Sequence, residues 1–375
     1  MTRIVIAPDK FKGSLPAAEV AQAIRRGLLT SRPDLDILCL PVADGGDGTL
    51  AAAEAAGFER VPLTATGPTG EPVVTAYGRR GDTAVVEMAD VSGMVRLPGG
   101  ELAPMTATSR GLGELIAAAL SAGARRIVVG IGGSACTDGG AGMLQALGVS
   151  LRDSNGNEIG AGGAALLDLA EVDLSGVHPA VADAEVVVAC DVDNPLTGPL
   201  GAAATYGPQK GATPADVVVL DVALTRLADH LAKQTGRDLR DVPGAGAAGG
   251  AGFAAMALFG ATLRPGIDLI LELVDFARHV VGADLVIVGE GSMDAQTLHG
   301  KAPMGVARMA REAGATVVAV CGRSTLDELQ LRDAGVAAAY ALVDLESDVD
   351  KSMTNAVALL ELVAETLACE HLSQQ

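Results

Sequence analysis

Lysines, carboxylates and glycines meet in a few loops of this sequence, and those loops define the chemistry open to it. The densest runs from 125 to 147, RRIVVGIGGSACTDGGAGMLQAL. Residues 126–129 are β-branched and apolar and predict a short buried strand. Gly130, Gly132, Gly133, Gly139, Gly140 and Gly142 follow, so the backbone there can approach a ligand without Cβ clashes. Ser134, Thr137 and Asp138 are the polar side chains among them. A helical pattern resumes at 143–147, opening the loop onto a helix N-terminus, where free N–H groups and the dipole favour an anion. The loop is expected to cradle a phosphate or carboxylate. A tight strand-to-helix turn that binds nothing is the plainer alternative.

Four more loops have the same character. Lys10 and Lys12 follow a strand at 4–7 and precede an amphipathic helix, for which Ser14 is the expected N-cap and Pro16 suits the first turn. Asp44 and Asp47 stand three residues apart in ADGGDGT, a spacing suited to Mg²⁺, its water shell or a polyol; capping and turn closure are the alternative. Asp191, Asp193 and Asn194 follow a buried strand at 185–189. In GEGSMDAQTLHGKAP, Glu290 and Asp294 are placed to hold a metal or a hydroxyl, and Lys301 to neutralise a phosphate. That loop contains Gly-Lys but no glycine at position 295, so it is not a Walker A motif.

The segment 130–135 also satisfies G-x-G-x-x-A after a strand, with Asp153 roughly 20 residues on, as a dinucleotide-binding unit requires. Against an NAD-dependent oxidoreductase stand the short helix, the polar and glycine residues at 137–140, and the recurrence of similar loops elsewhere. That reading is the alternative.

Composition narrows the field. A chain of 375 residues with 49% apolar content can bury large cores and predicts two domains. Its mean hydropathy is positive, yet no apolar run approaches the ~20 residues of a membrane span. The first residues start a strand at once, which leaves no room for a signal peptide and predicts a cytoplasmic protein. Five scattered cysteines and five scattered histidines offer neither a disulfide framework nor a zinc site. A formal charge of −19 argues against nucleic acid or an anionic membrane as partner. An acidic chain that handles an anion must place its positive charge locally. Only six lysines are present, and Lys10, Lys12, Lys210 and Lys301 all lie in glycine- or proline-punctuated loops.

The positioning elements alternate strand and helix at both ends of the chain. Strands are expected at 4–7, 37–41, 284–288, 316–321 and 338–342, sharing one parallel sheet. Between them the rhythm breaks: 73–77 and 83–88 alternate around a Gly-Arg-Arg-Gly-Asp turn and predict an antiparallel hairpin. The segment 198–211 reads as irregular loop, 215–233 as a helix, and 244–252 as a second cradle or a flexible linker. The expected fold is α/β, a Rossmann-like parallel-sheet domain (1–65 plus 280–375) with an inserted second α/β domain of mixed sheet (66–279).

With these blocks assembled, the sequence resembles the bacterial type-one glycerate kinase family over essentially its whole length. The resemblance rests on APDKFKGSL, PVADGGDGT, GIGGSACTDGG, ACDVDNPLTGP, YGPQKGA, GAAGG and GEGSMDAQTLHGKAP, in that order. Many relatives carry Asp-Gly-Gln where this chain has Asp294-Ala295-Gln296. The resemblance implies transfer of the ATP γ-phosphoryl group to a hydroxyl of D-glycerate, giving 2-phosphoglycerate, with Mg²⁺, in a cleft between the two domains. Chemical inference then assigns the roles. Asp191, Lys10 and Lys301 are expected to be catalytic. Lys12, Ser14, Asp44, Asp47, Asp193, Asn194 and Gln296 are expected to bind substrate. Gly132, Gly133, Ser134, Thr137, Asp138 and Lys210 are expected to bind nucleotide phosphate, and Glu290 and Asp294 metal. Monomer and homodimer both stay open.

Overall fold

The computed structural model describes residues 2–372. Among them the strands are, in chain order, β1 (Arg3–Pro8), β2 (Asp36–Cys39), β3 (Glu59–Thr66), β4 (Pro72–Arg80), β5 (Thr83–Glu87), β6 (Arg126–Gly130) and β7 (Ser150–Arg152). They continue with β8 (Glu171–Asp173), β9 (Glu185–Ala189), β10 (Thr262–Arg264), β11 (Leu285–Met293), β12 (Thr316–Ser324) and β13 (Ala338–Ala341). The chain divides into two compact units: 2–44, Ala51–Gly57 and 267–372 form the first, Gly45–Leu50 and Phe58–Gly266 the second.

The first unit is built on one parallel sheet in the order β13-β12-β11-β1-β2. As expected, the two N-terminal strands join the three C-terminal ones. Both faces are buried, so its strands read as continuous apolar runs. Alternate residues of β1 enter different cores. Val5 and Ala7 pack with Ile270, Val306 and Ala310, and Ile4 and Ile6 with Ile24, Leu28, Leu360 and Leu367. That alternation follows from the two-residue side-chain period of a strand.

The second unit holds a six-stranded mixed sheet, β10-β9-β6-β5-β4-β3, in which β5, β6, β9 and β10 run parallel and β3–β4–β5 form antiparallel pairs. A separate pair, β7-β8, is antiparallel. The long helix Pro214–Thr235 starts on a capping box between Thr213 and Asp216, with Pro214 in its first turn, and stops at the left-handed Gly236. Leu220, Leu224, Leu227 and Leu231 repeat at three and four residues and bury one face.

Several expectations need correction. Strand β3, not anticipated, pairs with β4 and packs Val61, Leu63 and Ala65 onto the second core, so the units divide at 57/58 rather than 65/66. Ile267, Ile270, Leu271 and Val274 pack into the first unit's core, which moves the other division from 279/280 to 266/267. The helix expected over 267–281 breaks at Asp275, whose φ is +52°. The helix expected over 349–369 is interrupted at Asn355. Within 198–211, expected to be loop, lie the helix Ala202–Tyr206 and the 3₁₀ turn Pro208–Lys210. Residues 244–252 are largely buried and packed, so they are no linker.

One close approach tests the first unit directly. Gly27 lets the helix Ala17–Ser31 lie against the helix Ala356–His371: a Cβ there would sit 2.2 Å from the Glu361 carbonyl oxygen. In an open helix Gly→Ala stabilises by about 1 kcal/mol. Here the clash reverses the sign, and Gly27→Ala should destabilise by about 1–3 kcal/mol in urea unfolding.

Candidate functional site

Strand β6 ends at Gly130, and the loop to Gly140 leads into the helix Ala141–Ala146. That helix N-terminus already holds an anion: the carboxylate of Asp138. Its oxygens accept from the N–H groups of Gly140 (3.1 Å) and Gly142 (3.2 Å) and from the N–H and hydroxyl of Ser109 (both 2.8 Å). Ser109 Oγ in turn accepts the Met143 N–H at 3.0 Å. Asp138 and Thr137 are both fully buried. The expectation that Asp138 and Thr137 meet a nucleotide is therefore corrected: the dipole and free N–H groups that would attract a phosphate are satisfied by the protein's own carboxylate.

Lys210 is corrected on the same grounds. Its ammonium is buried and donates to Ser134 Oγ (2.9 Å) and to the Cys136 carbonyl (2.5 Å), bracing the loop from behind. Burial lowers its pKa, and the nearby Asp138 opposes that shift. Gly249 and Gly250 close the other side. A Cβ on Gly249 would lie 2.2 Å from the Cys136 carbonyl oxygen, and the Gly139 N–H donates to the Gly249 carbonyl at 2.9 Å. Only Gly132 and Gly133 leave this loop accessible, with Ser134 just beneath them.

Gly132 has its own packing reason, since a Cβ there would meet Gly46 Cα at 2.7 Å. Its N–H donates to the Gly45 carbonyl at 3.2 Å. The loop Gly45–Leu50 is thus tied to the second unit, and a side chain that sequence reasoning left without a role ties it further. Glu87, the last residue of β5, accepts from the N–H groups of Gly48 (3.2 Å) and Leu50 (2.8 Å). Burial raises its pKa to about 7, those two hydrogen bonds oppose the shift, and Asp47 and Asp90 add to it. Asp47 is exposed at the loop's tip.

Strand β9 is parallel to β6 with Ala189 opposite Gly130, so the loops leaving both strands emerge along one sheet edge. Asp191 is exposed there, and its Oδ1 accepts the Gly266 N–H at 2.7 Å. Asp193 is exposed too. Asn194 is partly buried and spent on structure: its amide donates to the Leu200 carbonyl (2.8 Å), and its oxygen accepts from the Tyr206 hydroxyl (2.6 Å).

In the first unit the acids gather where β1 ends beside β11, Pro8 opposite Gly289, while β11 runs on to Met293. Asp9, also given no role from sequence, extends that ladder through its N–H to the Gly289 carbonyl (2.8 Å). Its carboxylate accepts the Lys10 N–H at 2.7 Å. Burial raises the Asp9 pKa to about 7; Lys10 pulls it down, while Asp44 and Glu290 push it up. Glu290 is likewise raised, first by burial, against a hydrogen bond from the Thr297 hydroxyl and the charge of Lys301. Asp294 closes a local turn, accepting the Gln296 N–H at 2.8 Å. Among the described residues no group of three or more His, Cys, Asp or Glu side chains is set as a ready metal site.

Of the remaining candidates, Lys12 and Gln296 are exposed and Lys10 and Lys301 half-buried. Ser14 does not cap the helix that follows it; its hydroxyl donates to the Met353 carbonyl at 2.8 Å. The dinucleotide reading also fails structurally. Asp153 lies beyond β7, outside the parallel sheet, and accepts the N–H groups of Asn155 and Asn157 in its own exposed turn.

Known proteins are similar to this chain over nearly its whole length. The profile described as "Glycerate kinase family" matches residues 4–371. A glycerate kinase of Bacillus subtilis (strain 168) is 47% identical over 98% of this chain and 97% of its own. A glycerate 2-kinase of Escherichia coli (strain K12) is 46% identical over 94% of each. A crystal structure assigned to glycerate kinase 2 of Salmonella typhimurium LT2 matches with a TM-score of 0.84, at 45% identity over 98% of each chain. The chain belongs to the glycerate kinase family.

Proposed function

We propose that this chain transfers the γ-phosphoryl group of ATP to the 2-hydroxyl of D-glycerate, with Mg²⁺, giving 2-phosphoglycerate. What carries the reading is the near-full-length similarity to the glycerate kinase and glycerate 2-kinase above. Phosphoryl transfer asks a protein chiefly for positioning and charge, and the loops at the two sheet edges offer both. Gly132 and Gly133 offer accessible backbone for nucleotide phosphate, with the Ser134 hydroxyl beneath them, while Lys210 and Asp138 hold the loop in shape. Lys10, Lys12 and Lys301 supply positive charge for phosphate and for the glycerate carboxylate. Asp44, Asp47, Asp193 and Gln296 supply hydrogen bonds to glycerate; Ser14 and Asn194 act through the segments they tie together.

Mg²⁺ fits the first unit's acids by donor chemistry: Glu290 and Asp294, with Asp9 and Asp44 nearby, offer hard carboxylate oxygens whose mutual repulsion a cation would relieve. When bound it would shield the phosphate oxygens as charge moves onto them. Asp191 is the proposed catalytic carboxylate. It leaves the rigid end of β9, and the Gly266 N–H fixes its orientation, so it can hold or accept the proton of the attacking hydroxyl.

Three outcomes follow. Asp191→Asn keeps the shape and removes the charge, and should lower kcat by about 10²-fold or more while leaving ATP binding nearly unchanged in steady-state kinetics and calorimetry. Near-normal kcat in Asp191→Asn, with loss in Asp193→Asn or Asp294→Asn, moves the role to that residue. Carbon-13 and phosphorus-31 NMR of the product formed from D-glycerate should show the phosphate on the 2-oxygen. A sole 3-phosphoglycerate product overturns the position of transfer.

The third outcome concerns Asp9. Its pKa is raised to about 7 from 3.8, so across that window the folded chain keeps a proton that the unfolded chain has released. The associated stability is present in full below the unfolded value and is lost as pH rises through about 7. Relative to Asp9→Asn, the wild-type melting temperature should therefore fall between about pH 5 and pH 8. Mg²⁺ held nearby would favour the charged form, so adding it should shrink that difference at the alkaline end. An unchanged difference in Mg²⁺ removes Asp9 from the neighbourhood of the cation.

A further inference from the structure

We propose that Glu87 is a positioning residue that sets the Gly45–Leu50 loop and, through it, presents Asp47 to the substrate. This rests on the reading above that Asp47 binds glycerate. Three sets of hydrogen bonds help to hold the loop. Gly45 accepts from the Gly132 N–H, Thr49 Oγ1 donates to the Gly46 carbonyl at 2.6 Å, and Glu87 takes the N–H groups of Gly48 and Leu50 with its two separate oxygens. The first two fix the loop's near half and its own curvature. Glu87 alone, among these, reaches the residues on the far side of Asp47 from a rigid strand.

A carboxylate is a costly choice for that place. Glu87 is buried, and Asp47 and Asp90 lie close enough to work against its charge. A well-packed apolar side chain would cost less if the position only filled space. What the carboxylate adds is a bidentate hold on two backbone donors, which fixes orientation as well as distance. It also stands at a fixed place in the sheet, with Gly130 directly opposite on β6. One strand end thereby sets the Asp47 loop while its neighbour gives rise to the Gly132–Gly133 turn.

The test is a double-mutant cycle on the full chain, with D-glycerate and ATP each varied and melting temperatures recorded. Asp47→Asn and Glu87→Gln should each raise KM for glycerate about fivefold or more while KM for ATP stays within about twofold. The double variant should be no worse than the poorer single variant, because Glu87 acts through the same loop. Independent, multiplying effects overturn the positioning role, as does an unchanged glycerate KM in Glu87→Gln beside an impaired Asp47→Asn. An unchanged Asp47→Asn instead removes Asp47 from the substrate site and overturns the reading underneath. Should Glu87→Gln fail to fold, Glu87→Asp, which keeps the charge and withdraws it by one methylene, must raise the glycerate KM in the same way; an unchanged KM there overturns the proposal.

Discussion

The carboxylate of Asp138 is the anion around which the second unit's glycine loops close. Two backbone donors from the start of the following helix and two donors from Ser109 converge on it. A charge buried to that depth is tolerated only when its lone pairs are met by donors of this kind. With Asp138 in place the turn after β6 has one shape. Gly249 and Gly250 can then bring two stretches of backbone into contact, where a Cβ on either would collide with the Cys136–Gly139 backbone. Lys210 completes the enclosure by bonding the Cys136 carbonyl and Ser134 Oγ. Accessible backbone is thereby confined to the Gly132–Gly133 turn.

Buried charges recur in both units and differ in what opposes them. Asp138 and Lys210 answer to hydrogen-bond partners and to each other across the same loop. Glu87 has two backbone donors but two acidic neighbours, and Asp9 has one donor, a lysine beside it, and two acids nearby. In the latter pair, desolvation outweighs the favourable contacts, so the proton is held to near neutrality. Groups poised in that way occur where a protein expects a cation or a change of charge close by. They are also where a parallel sheet presents its strand ends, the edge at which such sheets receive ligands.

Periodicity made the framework legible. The five strands of the first unit's sheet and strand β9, at 185–189, could be located from apolar runs between turn residues. The hairpin marked the change to a mixed sheet. What local pattern could not carry was the direction of a polar side chain. Asp138, Thr137 and Lys210 stand in glycine loops and so read as facing a ligand, yet all three are buried: Asp138 is held in part by Ser109, 29 residues away, Lys210 by Ser134 and Cys136, 76 and 74 residues away, and Thr137 is enclosed with its hydroxyl unpaired. Glu87 reads as the polar member of an alternating strand, although the apolar residues at 84–86 and 88 already hinted at burial. The helix Ala202–Tyr206 was hidden by Gly198, Gly201, Gly207 and Gly211 around it. Strand β3, with Pro62 in it, lies at a sheet edge, where a missing N–H is tolerated.

The order of strands in the first sheet bears on how the chain is made. Strand β1 lies between β2 and β11, yet about two hundred and fifty residues separate β2 from β11 along the chain. On a ribosome β1 and β2 emerge first, with one edge of β1 unpaired until residue 285 appears. The whole second unit is synthesised during that wait, and domains fold as units during synthesis at about 5–20 residues per second. The open edge of β1, apolar on both faces, is therefore exposed for on the order of ten seconds or more in each round of translation. Nascent chains of this protein should depend on holdase chaperones before residue 285 and lose that dependence soon after it.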